Sequence, residues 1–70
     1  MSFLIINGKE KNFGSGNMPE TLASLLDSID MNHATVVAEV NGQIVRRNDF
    51  ASMKLSEGQS IELVKFVGGG

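Results

Sequence analysis

The chain has 70 residues, a formal net charge of −2 and one proline, and 41% of its residues are hydrophobic. This length allows one domain with one small core and no internal substrate cavity, because a domain of this size buries only roughly 60% of the surface that its unfolded chain exposes. The mild negative charge argues against nucleic acid, which needs a clustered basic face, and the lack of cysteine excludes a disulfide framework and a thiolate metal site.

The first predicted elements are two strands joined in a hairpin. Residues 3–6 form a continuous apolar run, which predicts a strand buried on both faces and is too short for the core of a signal peptide. The dipeptide Asn7-Gly8 suits a type I′ turn, in which both positions need positive φ. Residues 9–13 then return as a polar strand, which we expect at a sheet edge because its lysines discourage pairing with other chains.

One amphipathic helix is predicted after a loop at residues 14–17. Its apolar stripe has the spacing i, i+3, i+4 and i+7 and consists of Leu22, Leu25, Leu26 and Ile29. Pro19 suits the first helical turn and Thr21 is an alternative N-cap, so the start stays open between them. Residues 31–33 end the helix, and His33 is interpreted as an exposed loop residue.

The second half predicts three more strands. Residues 36–40 lead through a second Asn-Gly turn into residues 43–46, which is another hairpin signal. Residues 48–53 predict a short helical turn with Phe50 pointing inward, and residues 60–67 form the last strand. The order β-β-α-β-β-β predicts an α+β fold of the β-grasp, or ubiquitin-like, kind: a mixed sheet of four to five strands with the helix packed across one face.

The side chains suggest no catalytic centre. A metal site needs several converging ligands, and the sequence has one histidine and no His-rich spacing. The acids are spread along the chain as surface charge, and no pair is placed for acid–base chemistry. The serines have no positioned base nearby in sequence. We therefore expect no metal, no bound cofactor and no enzyme activity of the isolated chain. No apolar stretch approaches the ~20 residues that span a bilayer, so we expect a cytoplasmic protein without membrane or nucleic-acid partners.

The candidate site lies at the end of the chain. Residues 1–67 are predicted to form the domain, and Gly68, Gly69 and Gly70 are predicted to form a thin, flexible tail, because glycine has no Cβ. A strand that leads into such a tail projects the Gly70 carboxylate away from the fold. A frayed terminus without function is the alternative interpretation.

The last strand predicts a docking surface beside this tail. Ile61, Leu63 and Val67 share the inward parity, and the outward positions are Glu62, Val64 and Phe66. Exposed apolar residues often mark a partner site, so we expect the outward residues to bind partner proteins and to guide Gly70 to them. The alternative is that strand twist or residues 48–53 cover them.

The sequence resembles the thiamine-biosynthesis sulfur carriers of the ThiS family, a group of ubiquitin-like proteins. The likeness runs through residues 3–8, 21–26, 37–45 and 58–70. Its most specific parts are the Val-Asn-Gly hairpin at residues 40–42 and the Phe-Val-Gly-Gly-Gly ending at residues 66–70. Arg46 departs from the family, which often has proline at this position.

The resemblance implies a carrier that reacts through its own terminus. A ThiF-like, E1-like enzyme would use ATP to adenylate the Gly70 carboxylate, and sulfur from a persulfide donor would replace AMP to give a thiocarboxylate. A ThiG-like thiazole synthase would then take this sulfur for the thiazole of thiamine. Two alternatives stay open: a sulfur carrier for molybdopterin or an amino acid, and a β-grasp binding module or protein modifier without sulfur chemistry.

Overall fold

The computed structural model describes residues 2–14 and 16–66. Its elements are β1 (Ser2–Ile6), β2 (Lys9–Phe13), α1 (Leu22–Ser28), β3 (Val36–Val40), β4 (Gln43–Val45) and β5 (Ser60–Lys65), with 3₁₀ turns at His33–Thr35 and Arg47–Asp49. In the described part, five strands form one sheet in the order β2-β1-β5-β3-β4. Strands β1 and β5 are parallel, and the other neighbours are antiparallel. The predicted β-grasp arrangement, with a mixed sheet and a helix across it, is confirmed.

Both Asn-Gly turns have the predicted backbone. Asn7 and Gly8 have φ values of 51° and 81°, and Asn41 and Gly42 have φ values of 50° and 85°. Positive φ at both positions matches the twist of the flanking strands. The hairpins place β2 and β4 at the two edges of the sheet, as predicted for β2. Strand β4 is one residue shorter than predicted, because Arg46 is already the N-cap position of the next 3₁₀ turn.

The core lies between the helix and one face of the sheet. Its fully buried members include the leucines of the helical stripe and residues from three strands: Leu4, Leu22, Leu25, Leu26, Ala38 and Ile61. Burying one leucine completely stabilises the fold by about 1.5–3 kcal/mol. The last stripe residue, Ile29, is only half-buried, because the helix ends at Ser28 and Ile29 is its C-cap. The helix therefore stops earlier than predicted.

The helix begins after Thr21, which decides between the two predicted starts. The Oγ1 atom of Thr21 accepts a hydrogen bond from the Ser24 N–H at 3.1 Å. The first two helical N–H groups donate to the carbonyl oxygens of Met53 and Phe50, at 2.9 and 3.0 Å. These bonds satisfy donors that a helix start leaves unpaired. Pro19 precedes this cap and lies outside the helix.

The prediction that β1 is buried on both faces is wrong. Leu4 is buried, whereas Phe3, Ile5 and Ile6 are half-buried. The helix covers one face of the sheet, and Leu4 faces it together with Ile6, which packs against the core. Phe3 and Ile5 lie on the opposite face, and a continuous apolar run could not distinguish this one-sided cover from burial on both sides.

The interpretation of His33 as an exposed loop residue is also wrong. His33 begins the first 3₁₀ turn, and its side chain is 32% exposed. Its Nε2 atom lies 2.9 Å from Oδ1 of Asp27, and its ring meets the edge of Phe50 with the centroids 5.7 Å apart. Phe50 itself points inward as predicted and is 2% exposed. The histidine thus joins the end of the helix to the segment that follows β4.

Candidate functional site

Strand β5 alternates between buried and exposed side chains, as predicted. Ile61 and Leu63 are 0% and 5% exposed, whereas Val64 and Phe66 are 60% and 43% exposed. Glu62 also faces outward and is exposed. The three outward residues are therefore accessible, and the alternative in which residues 48–53 cover them is wrong.

The neighbouring strands extend this exposed apolar surface. Val37 on β3 lies directly opposite Val64, and Ile44 on β4 lies opposite Glu39. Directly opposite side chains share one face of a sheet, and Val37 and Ile44 are 40% and 69% exposed. We call the surface formed by Ile44, Val37, Val64 and Phe66 the apolar strip. It crosses the outer face of the sheet from the edge strand β4 to the end of β5.

Two carboxylates lie within the apolar strip. Glu39 and Glu62 are directly opposite each other on β3 and β5. Glu39 is half-buried and Glu62 is exposed. Among the residues that the structure describes, no lysine or arginine nitrogen lies within 4.0 Å of either carboxylate. The outer face therefore combines an apolar surface with an acidic pair.

The side chain of Asn7 fixes the middle of β5. Its Oδ1 atom accepts the Leu63 N–H at 2.7 Å, and its Nδ2 atom donates to the Leu63 carbonyl oxygen at 3.2 Å. The backbone N–H of Asn7 donates to the Ile61 carbonyl oxygen at 2.8 Å. Only two residue pairs join β1 to β5. The side-chain amide of Asn7 therefore extends the hydrogen bonding along β5 beyond the point where β1 ends.

Asn41 fixes the start of β5 from the other side. Its Oδ1 atom accepts the Ser60 N–H at 3.0 Å, and its N–H donates to the Ser60 carbonyl oxygen at 2.7 Å. At the far end of the strand, the Phe66 N–H donates to the Thr35 carbonyl oxygen at 2.9 Å. Strand β5 is thus held along its length up to Phe66, which directly precedes the last four residues of the chain.

The predicted tail itself lies outside the described residues. This applies to Gly68, Gly69 and Gly70 and to Val67, so the division into a domain of residues 1–67 and a tail of residues 68–70 stays a prediction. In the described ranges, no three side chains of His, Asp or Glu are grouped closely enough to hold a metal ion. No helix in the same ranges has the length and apolar character needed to cross a membrane.

Sequence reasoning missed the part of the apolar strip that lies on β3 and β4. The register of a two-residue Asn-Gly hairpin places Glu39 opposite Ile44, so the position of Ile44 could have been predicted from sequence. The contact of Asn7 with Leu63 was not, because it joins residues 56 positions apart and depends on the parallel pairing of β1 with β5.

Comparison with known proteins gives one family. The ThiS family model matches residues 4–70. A thiazole synthase of Paramagnetospirillum magneticum (strain ATCC 700264 / AMB-1) is 37% identical over 67 residues, which are 96% of this chain and 20% of that protein. The chain therefore spans about a fifth of the length of this curated relative.

Two solved structures from Geobacter metallireducens have the same fold. The crystal structure of its thiamine biosynthesis protein (ThiS) superposes with a TM-score of 0.80 at 29% identity, over 97% of this chain and 99% of that one. An NMR solution structure of a thiamine biosynthesis protein from the same organism gives a TM-score of 0.78 at 29% identity, over 97% and 87% of the two chains. Since the family model covers nearly the whole sequence and the β-grasp architecture agrees, this chain belongs to the ThiS family.

Proposed function

We propose that this protein is a sulfur carrier of thiamine biosynthesis and that it carries the sulfur on the carboxylate of Gly70. The observation that carries the proposal is the match of the ThiS family model through residue 70, which includes the three terminal glycines. The likeness to the ThiS protein of Geobacter metallireducens over almost its whole length supports it further. The protein acts as a cosubstrate of its partners and is not itself an enzyme.

The proposed chemistry begins with activation, because a free carboxylate is a poor electrophile. An oxygen of the Gly70 carboxylate attacks the α-phosphate of ATP on an E1-like enzyme, a P–O bond forms, and pyrophosphate leaves. The terminal sulfur of an enzyme persulfide then attacks the acyl carbon and AMP leaves. A thiol reduces the resulting S–S bond, which leaves a thiocarboxylate on the carrier and a disulfide on the donor side. ATP is bound by the activating partner.

A thiazole synthase is the proposed acceptor of the sulfur. In Paramagnetospirillum magneticum, a segment similar to this chain forms part of a longer protein named thiazole synthase. A single polypeptide that contains both supports a working relation between this carrier and a synthase. We propose that the carrier brings its Gly70 terminus to a synthase of this kind.

The length of the tail sets a distance limit for each partner. Gly70 is the fourth residue after Phe66, and four extended residues span at most about 14 Å. A partner that binds the apolar strip at Phe66 must therefore place its reaction centre within about this distance. Side chains are absent at the last three positions, so the backbone can enter a channel too narrow for any other residue.

The test is the intact mass of the protein purified from its native cells, alone and with the activating enzyme, ATP and a persulfide donor. We expect a mass increase equal to the exchange of one oxygen for one sulfur at Gly70. Matched variants are one that lacks Gly70 and one with a single alanine added after it, and both should show no increase. A variant far from the tail, Glu20→Gln, should behave like the original chain.

Three results would overturn parts of the proposal. A mass increase that survives the loss of Gly70 would exclude the terminus as the sulfur site. Isopeptide bonds to lysines of other proteins would identify a protein modifier. If cells that lack thiazole synthase fail to accumulate the thiocarboxylate form, while cells blocked in another sulfur pathway do, the carrier serves that other pathway.

A further inference from the structure

Glu39 and Glu62 are close neighbours on the outer face of the sheet. The Phe66 N–H donates to the Thr35 carbonyl oxygen, so Thr35 and Phe66 are opposite each other in a hydrogen-bonded pair. Hydrogen-bonded pairs recur every second residue of an antiparallel ladder, and Glu39 and Glu62 lie four residues along β3 and β5 from this pair. The outward-facing pairs of these strands are therefore the hydrogen-bonded ones, in which the two Cα atoms lie about 5.5 Å apart. Like charges on directly opposite residues repel each other and disfavour the folded state.

Ile44 shields one side of this acidic pair. In a two-residue hairpin the residues that flank the turn form a hydrogen-bonded pair, so the next pair, Glu39 and Ile44, is of the non-hydrogen-bonded kind. Its Cα atoms are about 4.5 Å apart and its side chains are closer. This agrees with the half-buried state of Glu39, and it leaves the side toward Glu62 as the open approach to the carboxylates.

The acidic pair lies between the apolar residues of the strip. Ile44 is on one side of it, the Val37–Val64 pair follows two residues further along the strands, and Phe66 follows two residues after that. Each step of two residues is about 6.7 Å. A partner that covers the apolar strip therefore also covers Glu39 and Glu62 and removes water from them.

Covering two like charges without a counter-charge is strongly unfavourable. The described residues of this chain supply no such counter-charge within 4.0 Å, so the partner must supply it. We infer that the activating enzyme binds the apolar strip with an apolar surface that carries one basic side chain, an arginine, directed between Glu39 and Glu62. The planar guanidinium group has five donors and can bind both carboxylates at once. This inference rests on the proposed function.

The test compares Glu39→Gln and Glu62→Gln with Glu20→Gln, an equal charge change at an exposed position outside the sheet. The purified adenylating enzyme of the same cells is titrated with each carrier, and both the dissociation constant and carrier-dependent ATP–pyrophosphate exchange are measured. We expect Glu39→Gln and Glu62→Gln each to weaken binding about tenfold, with an unchanged maximal exchange rate. Glu20→Gln should stay within about twofold of the original carrier.

Two further measurements separate recognition from folding. The affinity of the original carrier should fall as salt is raised, and that of the double glutamine variant should fall less, since salt screens the charge contact. The melting temperature of each glutamine variant should be equal to or higher than that of the original chain, because the repulsion between the two acids is removed.

The inference is wrong if Glu39→Gln and Glu62→Gln bind as Glu20→Gln does, because the strip then binds through apolar contacts alone. It is also wrong if the weaker binding is matched by a lower melting temperature, or if the strip is covered by a second copy of the chain in solution. Failure of the proposed function gives a different result: the original carrier then supports neither pyrophosphate exchange nor the sulfur mass increase at saturating concentration.

Discussion

At the scale of single residues, Asn7 and Asn41 each combine a backbone role with a side-chain role. Both adopt positive φ, at 51° and 50°, and asparagine tolerates this region better than most residues with a side chain. The short amide also carries a donor and an acceptor, and in both turns it reaches β5. Glycine would meet the backbone requirement equally well but could not make these bonds.

The substitution Asn7→Gly should therefore keep the turn and lose the two side-chain hydrogen bonds to Leu63. Leaving a buried backbone group without its partner costs about 1–3 kcal/mol, and we expect a loss of this size in the free energy of unfolding. Urea unfolding gives the value, provided that the dependence on urea concentration is unchanged.

Asn41→Gly is the matched control, because it removes a single side-chain bond, to Ser60, from an equivalent turn. It should destabilise the protein less than Asn7→Gly does. Equal losses in the two variants would show that the Asn7 amide contributes nothing special to the placement of β5.

At the scale of elements, the helix depends on its surroundings. It has 7 residues, fewer than the ~12–15 at which isolated helices become even marginally stable in water. Its stability comes from the buried leucines and from donors satisfied by Thr21 and by the carbonyl groups of Phe50 and Met53. The segment after β4 thus acts as part of the helix cap.

Replacing the cap residue should measure this dependence. Thr21→Ala removes the oxygen that accepts the Ser24 N–H, and such caps contribute about 0.5–2 kcal/mol. In a domain of this size each kcal/mol corresponds to roughly 4–8 °C in the melting temperature. Thr21→Ser retains the oxygen and should melt close to the original chain, and a loss as large as that of alanine would contradict the cap.

The contact between the helix and the segment after β4 can be tested at Phe50. Phe50→Ala should cost about 3–5 kcal/mol, as is typical for a buried aromatic side chain. Phe50→Leu should cost less and leave the protein folded. Amide hydrogen exchange in this milder variant should accelerate first at Ala23, whose N–H donates to the Phe50 carbonyl oxygen, if the segment opens as a local unit.

At the scale of the whole molecule, the two faces of the sheet differ in what they hold and in what we propose that they do. One face packs against the helix and holds the core, and the other carries the apolar strip. A substitution in the strip should therefore change partner binding while the fold stays intact, and a substitution in the core should change both.

Phe66→Ser tests this separation. Phe66 is 43% exposed, so we expect the melting temperature to change by only a few degrees while binding to the proposed activating enzyme weakens about tenfold or more. Phe66→Leu keeps an apolar side chain and should bind between the two. Unaltered binding of Phe66→Ser in a titration against the enzyme would refute a docking role for the strip.

The architecture was largely predictable because its signals are local. The Asn-Gly turns, the leucine stripe and the alternation of β5 each follow from spacing within a few residues. The errors concern long-range packing: the incomplete burial of β1 depends on which face the helix covers, and the position of His33 depends on how the chain turns back to Phe50. The outward residues Val64 and Phe66 were predicted from parity, and the Glu39–Ile44 pair follows from the hairpin register. The Asn7 contact and the joining of these residues into one strip needed the order of strands.

The order of the strands also affects how the protein is made. Strand β5 lies at the centre of the sheet, between β1 and β3, although it is the last described element along the chain. A sheet that joins distant parts of a sequence cannot close until both have been synthesised. A chain still growing on the ribosome without residues 60–65 therefore lacks the middle of its sheet, and the same late segment completes the sheet and leads to the terminus that we propose carries the sulfur.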